Sequence, residues 1–150
     1  MAVTVRAVAV GDRAGWETLY AGYAAFYGVA QTPAMRVVVW DWLMDAGHGT
    51  TGLVAVTDDG ALVGLAHVRP FARPLSASVG GFLDDLFVDP AARGQGVAVA
   101  LIAAVADMGR AEGWSVIRWI TAADNAAARA VYDRVARKTP WVTYDIGLSG

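Results

Sequence analysis

The sequence predicts an α/β domain with a mixed sheet, in the order β-α-α-β-β-β-α-β-α-β. Three observations carry this. Short alternating or β-branched runs are interleaved with longer segments of helical period. Glycine or proline signals punctuate the joins between them. The 150-residue length suits one compact domain, 1–150, with no linker or repeat to divide it.

Val3 to Arg6 alternates apolar and polar residues and leads to Gly11-Asp12, a strand ending at a helix cap. From Asp12 to Tyr27 the chain reads as a helix. Trp16, Tyr20, Tyr23 and Tyr27 fall at steps of 4, 3 and 4, on one face, and Gly28 stops the run. A shorter helix follows Pro33, carries Trp40 and Leu43, and closes near Gly47. Leu53–Val56 and Leu62–Val68, joined through Asp59-Gly60, read as a hairpin. Arg69 to Pro74 reads as a proline-broken connection, and Ser78 to Val88 as a strand ended by Asp89-Pro90. Arg93-Gly94-Gln95-Gly96 opens a long helix from Val97 to Glu112, closed by Gly113. A strand from Ser115 to Thr121, a helix from Asn125 to Ala136 capped by Asp124, and a last strand from Trp141 to Ile146 complete the order.

Composition excludes several function classes. Apolar residues make up 56% of the chain and charged residues 17%, which is no disordered tail. A net charge of -2 is not that of a general nucleic-acid binder. The absence of cysteine excludes a disulfide scaffold, a cysteine-zinc centre and a thiol nucleophile. With His48 and His67 the only histidines, no metal site is expected. The opening residues lack a basic segment followed by a long apolar stretch, so no signal peptide is expected. The longest apolar run, Val97 to Ala106, is about ten residues against the ~20 that span a bilayer. No membrane association and a cytoplasmic location are the corresponding expectations.

The chemistry concentrates between Asp84 and Tyr132. Free amides at a helix N-terminus attract anions, and glycines at 94 and 96 let backbone approach a phosphate while Arg93 adds charge. The same two glycines also suit a tight strand-to-helix turn. The pattern is not a dinucleotide fingerprint, since the third glycine is missing, nor a P-loop, since no Gly-Lys-Ser/Thr follows.

Arg93-x-x-Gly96-x-Ala98 resembles the Q/R-x-x-G-x-G/A signature of the GNAT superfamily of acyl-CoA-dependent N-acetyltransferases. Asn125-x-x-Ala128-x-x-x-Tyr132 is similar to that superfamily's second block. Phe82 to Val88 resembles the acidic strand of spermidine/spermine-type and related small-amine enzymes. Where many members carry Gly-Phe after the tyrosine, this chain has Ala136-Arg137.

The resemblance implies a mostly antiparallel central sheet flanked by helices, and acetyl-CoA as co-substrate. It places the pyrophosphate on the turn Arg93, Gly94, Gln95, Gly96, Val97, Ala98 and Val99, with the pantetheine arm along Leu86, Phe87 and Val88. Asn125 would bond the pantetheine, small Ala128 would leave it room, and Tyr132 would protonate the departing thiolate. A backbone N–H near Phe87 or Val88 would stabilise the oxyanion formed when the amine attacks directly. The resemblance further implies an amine acceptor, a small amine, polyamine or amino acid, entering between the first two helices and the sheet. Dimers are frequent in the superfamily, which implies a homodimer.

A lysine-like amine is mostly charged at pH 7, so a carboxylate that takes its proton, directly or through water, would help. The resemblance implies that Asp84 corresponds to the glutamate that serves as base or substrate ligand in the diamine group, one methylene shorter here, which favours a water relay; Asp85 is the alternative, and His67 a third. In a regular strand the two aspartates point to opposite faces. Tyr23 and Tyr27 are expected to line the acceptor pocket, whereas Trp16 and Tyr20 read as core. A protein lysine or N-terminus as acceptor, and a non-catalytic acyl-CoA sensor, remain alternative readings.

Overall fold

The computed structural model describes residues 2–149. It divides into two compact units, 1–120 and 121–150.

The first unit holds a five-stranded sheet in the order β1 (Val3–Ala7), β2 (Thr51–Thr57), β3 (Leu62–Arg73), β4 (Ser78–Val88), β5 (Ile117–Arg118). The first three pairings are antiparallel, and β4 with β5 is parallel. This is the mixed, mostly antiparallel sheet expected. Helices α1 (Arg13–Phe26) and α2 (Pro33–Met44) cross between β1 and β2, and α3 (Val97–Glu112) joins β4 to β5.

Successive strand residues point to opposite faces, and β3 shows which helix covers which. Leu65 packs with Trp16, Leu19, Tyr20, Trp40 and Phe87 in one cluster beneath α1 and α2. On the other face a side chain at Gly64 would meet Leu101 and Val97 of α3 at 3.0 and 3.1 Å, so glycine there lets the helix close on the sheet. Helix α3 buries Val97, Leu101, Ile102, Val105 and Gly109, the stripe its period predicts.

Asp12 begins α1 in an unusual way. Its carboxylate makes no cap bond to the helix but accepts from Ala9 N at 2.7 Å and from the two terminal guanidinium nitrogens of Arg6 at 2.6 and 2.9 Å. It thereby ties the end of β1 to the helix start.

Three expectations are corrected. Arg69 to Pro74 is not a connection, because β3 runs on to Arg73, paired with β4 throughout. Pro70 is tolerated because pairing with β2 stops at Val68, so the missing N–H falls on an unpartnered edge. The last strand is also absent: no regular element is found over 137–149, and Trp141, Val142, Tyr144, Ile146 and Leu148 are exposed. Alternation makes a segment able to form a strand, but a strand needs a ladder partner. The strand expected from Ser115 to Thr121 shortens to Ile117–Arg118.

The second unit contains α4 (Ala126–Val135). Asn125 starts it, its side-chain oxygen accepting from Ala128 N at 3.4 Å. Asn125, Ala128 and Tyr132 occupy positions i, i+3 and i+7, one face of this helix.

Candidate active site

The site is built where β4 leaves β5. The two strands pair only at Gly81–Ile117 and Phe82–Arg118. Beyond Phe82, among the described residues, β4 has a neighbour on the β3 side alone. The antiparallel ladder then decides which backbone groups are available. Asp89 N donates to Val63 O, so 85, 87 and 89 spend their N–H and C=O groups on β3. Leu86 and Val88 therefore turn theirs to the open edge, while Phe87 contributes its ring.

The edge leads directly into the glycine turn. After a short 3-10 turn at Pro90–Ala92, capped by Asp89, the chain takes positive φ at Gly94 (75°) and Gly96 (79°) and enters α3. Gly96 is the N-cap and carries no side-chain cap; its carbonyl accepts the first helical bond, from Ala100 N at 3.0 Å. Helix geometry leaves the amides of Val97, Ala98 and Val99 without an intrahelical acceptor. A Cβ on Gly94 or Gly96 would meet nothing within 4 Å, so the space above the turn is open. Arg93 lies beside it, its Nε donating to Val88 O at 3.3 Å and its guanidinium 4.4 Å from the Phe26 ring centre and 5.7 Å from that of Phe87. Uncapped amides, the helix dipole and a fixed cation make a cradle fit for a diphosphate.

The two aspartates do not alternate. His67 pairs with Asp85 and Val68 with Leu83, so Asp84 is the extra residue of a β-bulge. As a result, Asp84 accepts from Arg69 Nε at 2.9 Å and Asp85 bonds His67 Nδ1 at 2.8 Å, partners two residues apart on one face of β3. Asp84 and Arg69 form an exposed ion pair. Asp85 is held more tightly, with 20% of its side chain exposed.

The Asp85 Oδ2 also accepts from the Tyr20 hydroxyl at 2.9 Å, and His67 Nε2 accepts from Trp16 Nε1 at 2.9 Å. Burial works to raise the Asp85 carboxyl. The hydrogen bond from His67, followed by those from Tyr20 and Tyr23, opposes this, and Asp85 is held below the usual carboxylate range. Burial first, then the charge of Asp85, push the Tyr20 phenol well above its ordinary value, so it remains a donor. Tyr23 stands edge-on to Phe87 at 5.5 Å and packs on Tyr27 at 5.0 Å, forming an aromatic wall beside Asp85. Trp16 and Tyr20 are core residues as expected, but their polar ends reach His67 and Asp85. Sequence reasoning missed that use, along with Arg69 and Phe26, because each partner lies on a distant element.

Among the described residues no group of three His, Asp or Glu could hold a metal, and no helix is long and apolar enough to cross a membrane.

The sheet thus parts beside the uncapped start of α3, and β4 also carries Asp85, which stands beside the aromatic wall of Tyr23 and Tyr27. The chain belongs to the acetyltransferase (GNAT) family, whose model matches residues 16–136, and it is an N-acetyltransferase of that family. The D-amino-acid N-acetyltransferase HPA3 of Saccharomyces cerevisiae (strain ATCC 204508 / S288c) is 27% identical over 143 residues, 95% of this chain and 89% of the yeast protein. The crystal structure of a ribosomal-protein-alanine N-acetyltransferase from Brucella melitensis biovar Abortus 2308 superposes with a TM-score of 0.81 at 25% identity, covering 99% of this chain and 100% of the other. AAC(6')-Iy, solved with the bisubstrate analogue CoA-S-monomethyl-acetylneamine, shares the fold at 20% identity and a TM-score of 0.84, covering 99% of this chain and 100% of that one.

Proposed function

We propose that the protein transfers the acetyl group of acetyl-CoA directly to a primary amine of a small molecule, such as a small amine, a polyamine or an amino acid. One observation carries the reading. The open edge of β4 runs from a held carboxylate straight into a turn of unpaired amides, so an extended donor laid on that edge would have its phosphates and its reactive end both provided for.

Bound acetyl-CoA supplies the thioester. On this reading Gln95 to Val99 offer main-chain N–H groups to the diphosphate, Arg93 and the glycines at 94 and 96 serve the same turn, and Leu86 and Val88 offer peptide groups to the pantetheine. An amine with a pKa of about 10.4 costs about 4–5 kcal/mol to deprotonate at pH 7. A carboxylate beside it offsets part of this and draws a cation in. Asp85 is favoured for that role over Asp84, since the bonds on Asp85 keep it charged and oriented while Asp84 is engaged by Arg69. The aromatic faces of Tyr23 and Tyr27 suit a cationic acceptor. Asn125 as pantetheine ligand and Tyr132 as proton donor to the thiolate are supported by the superfamily motif and by a family match that runs through both. That match spans both compact units, which supports one acetyltransferase domain over 1–150.

For the acceptor, HPA3 is named for D-amino acids and AAC(6')-Iy is an aminoglycoside enzyme, both acting on small amines. The Brucella enzyme, named for a ribosomal protein alanine, favours a protein N-terminus as the second reading. Two measurements decide. Calorimetric titration with coenzyme A should show saturable heat, and a thiol-release screen over amines, amino acids and lysine peptides should give turnover with a small amine. Absence of heat removes the donor site, and turnover with peptides alone transfers the acceptor to protein.

A further inference from the structure

Trp16 and His67 are 1% and 2% exposed, and apolar side chains could fill both places. What apolar side chains could not supply is the direction of the protons. An indole Nε1–H can only donate. It points at His67 Nε2 from 2.9 Å, so that nitrogen presents its lone pair. The neutral ring's single proton then sits on Nδ1, 2.8 Å from Asp85 Oδ2, the oxygen that also receives the Tyr20 hydroxyl.

We propose that Trp16 and His67 are positioning residues for acetyl transfer: the indole locks the imidazole as its Nδ1–H tautomer, and the imidazole holds Asp85 as an oriented carboxylate facing the amine. The inference rests on the reading of Asp85 above. It adds that His67 is a fixed donor and not the base. A proton on Nε2 would set two N–H groups against each other, so the amine's proton goes to Asp85, directly or through water. The titratable groups facing His67 are Asp85 from β4 and Tyr20 from α1, with Tyr23 behind them on Asp85. From β2 the cross-strand partner is Gly52. From α2, Trp40 packs on Trp16, with the Arg13 guanidinium 5.9 Å from the Trp40 ring. The Asp84–Arg69 pair lies two residues along β3.

The first test needs no substrate. The chain has two histidines, so a His48→Gln variant labelled with nitrogen-15 histidine leaves one ring to observe by NMR. At pH 7 the expected pattern is Nδ1 protonated and Nε2 bare, with Trp16→Phe freeing Nε2 to take a proton while Nδ1 keeps its bond to Asp85. A wild-type ring protonated on Nε2 overturns the proposal.

The second test reads the acid limb of kcat/KM. In His67→Leu the limb should move to higher pH, because Asp85 loses the donor that does most to hold it down. His67→Asn, whose side-chain amide can donate from the place of Nδ1, should restore most of that shift. An unmoved limb in folded His67→Leu, or a His67→Asn profile no better than that of leucine, overturns the proposal. Lack of turnover with every amine would instead overturn the acetyl-transfer reading, while the ring measurement still decides the tautomer.

Discussion

The Arg93 guanidinium lies 4.4 Å from the centre of the Phe26 ring, so the last residue of α1 and the turn before α3 hold one another. A cation–π contact at an exposed site is worth about 0.5–1 kcal/mol. Phe26→Ala should therefore weaken coenzyme A binding by roughly two- to fivefold, read by calorimetry beside the parent. Equal affinities would show that Arg93 keeps its place through Val88 O alone.

Gly96 has φ 79° and open space where its side chain would be. Asparagine tolerates this backbone better than other residues do, and aspartate differs from it mainly in charge. Gly96→Asn should keep measurable coenzyme A binding, whereas Gly96→Asp should abolish it by repelling the diphosphate. Similar titrations for the two variants would place the diphosphate elsewhere.

Tyr132 shares a face of α4 with Asn125. If its phenol protonates the leaving thiolate, Tyr132→Phe should lower kcat by about 10²-fold or more. The Kd for acetyl-CoA should stay within a factor of about two. Steady-state kinetics with a binding titration separates the two, and unchanged kcat would remove Tyr132 from the step.

Asp12 gives a prediction in pH. Its hydrogen bonds from Arg6 come first among the causes, and despite burial they hold its carboxyl below the ordinary value. A carboxyl lowered in the folded state stabilises fully above its unfolded pKa of about 3.9 and loses that contribution as pH falls through the folded value. Arg6 is partly exposed and screened, so the contribution belongs at the low end, on the order of 1 kcal/mol. Urea melts of wild type and Asp12→Asn should differ by that amount at pH 7 and converge as pH drops below about 3.9. A difference that persists at pH 2 would make the effect one of packing.

Much of this molecule is legible in its sequence. The ends of α3 and β4 follow from glycines, prolines and apolar period, which are local signals, and the glycine turn is local too. The bulge at Asp84 is not, because alternation along β4 reads the same whether or not its neighbour pairs residue for residue. Nor is the Trp16–His67 bond. The aromatic spacing on α1 shows that Trp16 and Tyr20 face inward, but His67 lies 51 residues from Trp16 and Asp85 65 residues from Tyr20, and only the pairing of β3 with β4 brings those two partners together. The segment from Trp141 to Ile146 shows the reverse failure, a strong local pattern with no ladder to join.

The extra residue in β4 has a consequence for how such a catalyst can change. The surplus lies between two stretches of intact ladder, with His67 opposite Asp85 on one side and Val68 opposite Leu83 on the other. Deleting Asp84 would therefore close β4 into regular alternation and leave both stretches in register, Leu83 and Asp85 still on opposite faces. What would go is the neighbouring carboxylate that holds Arg69. Two successive acids reach partners on one face of β3 only because this strand is one residue longer than its neighbour, so a one-codon loss would release Arg69 without moving Asp85.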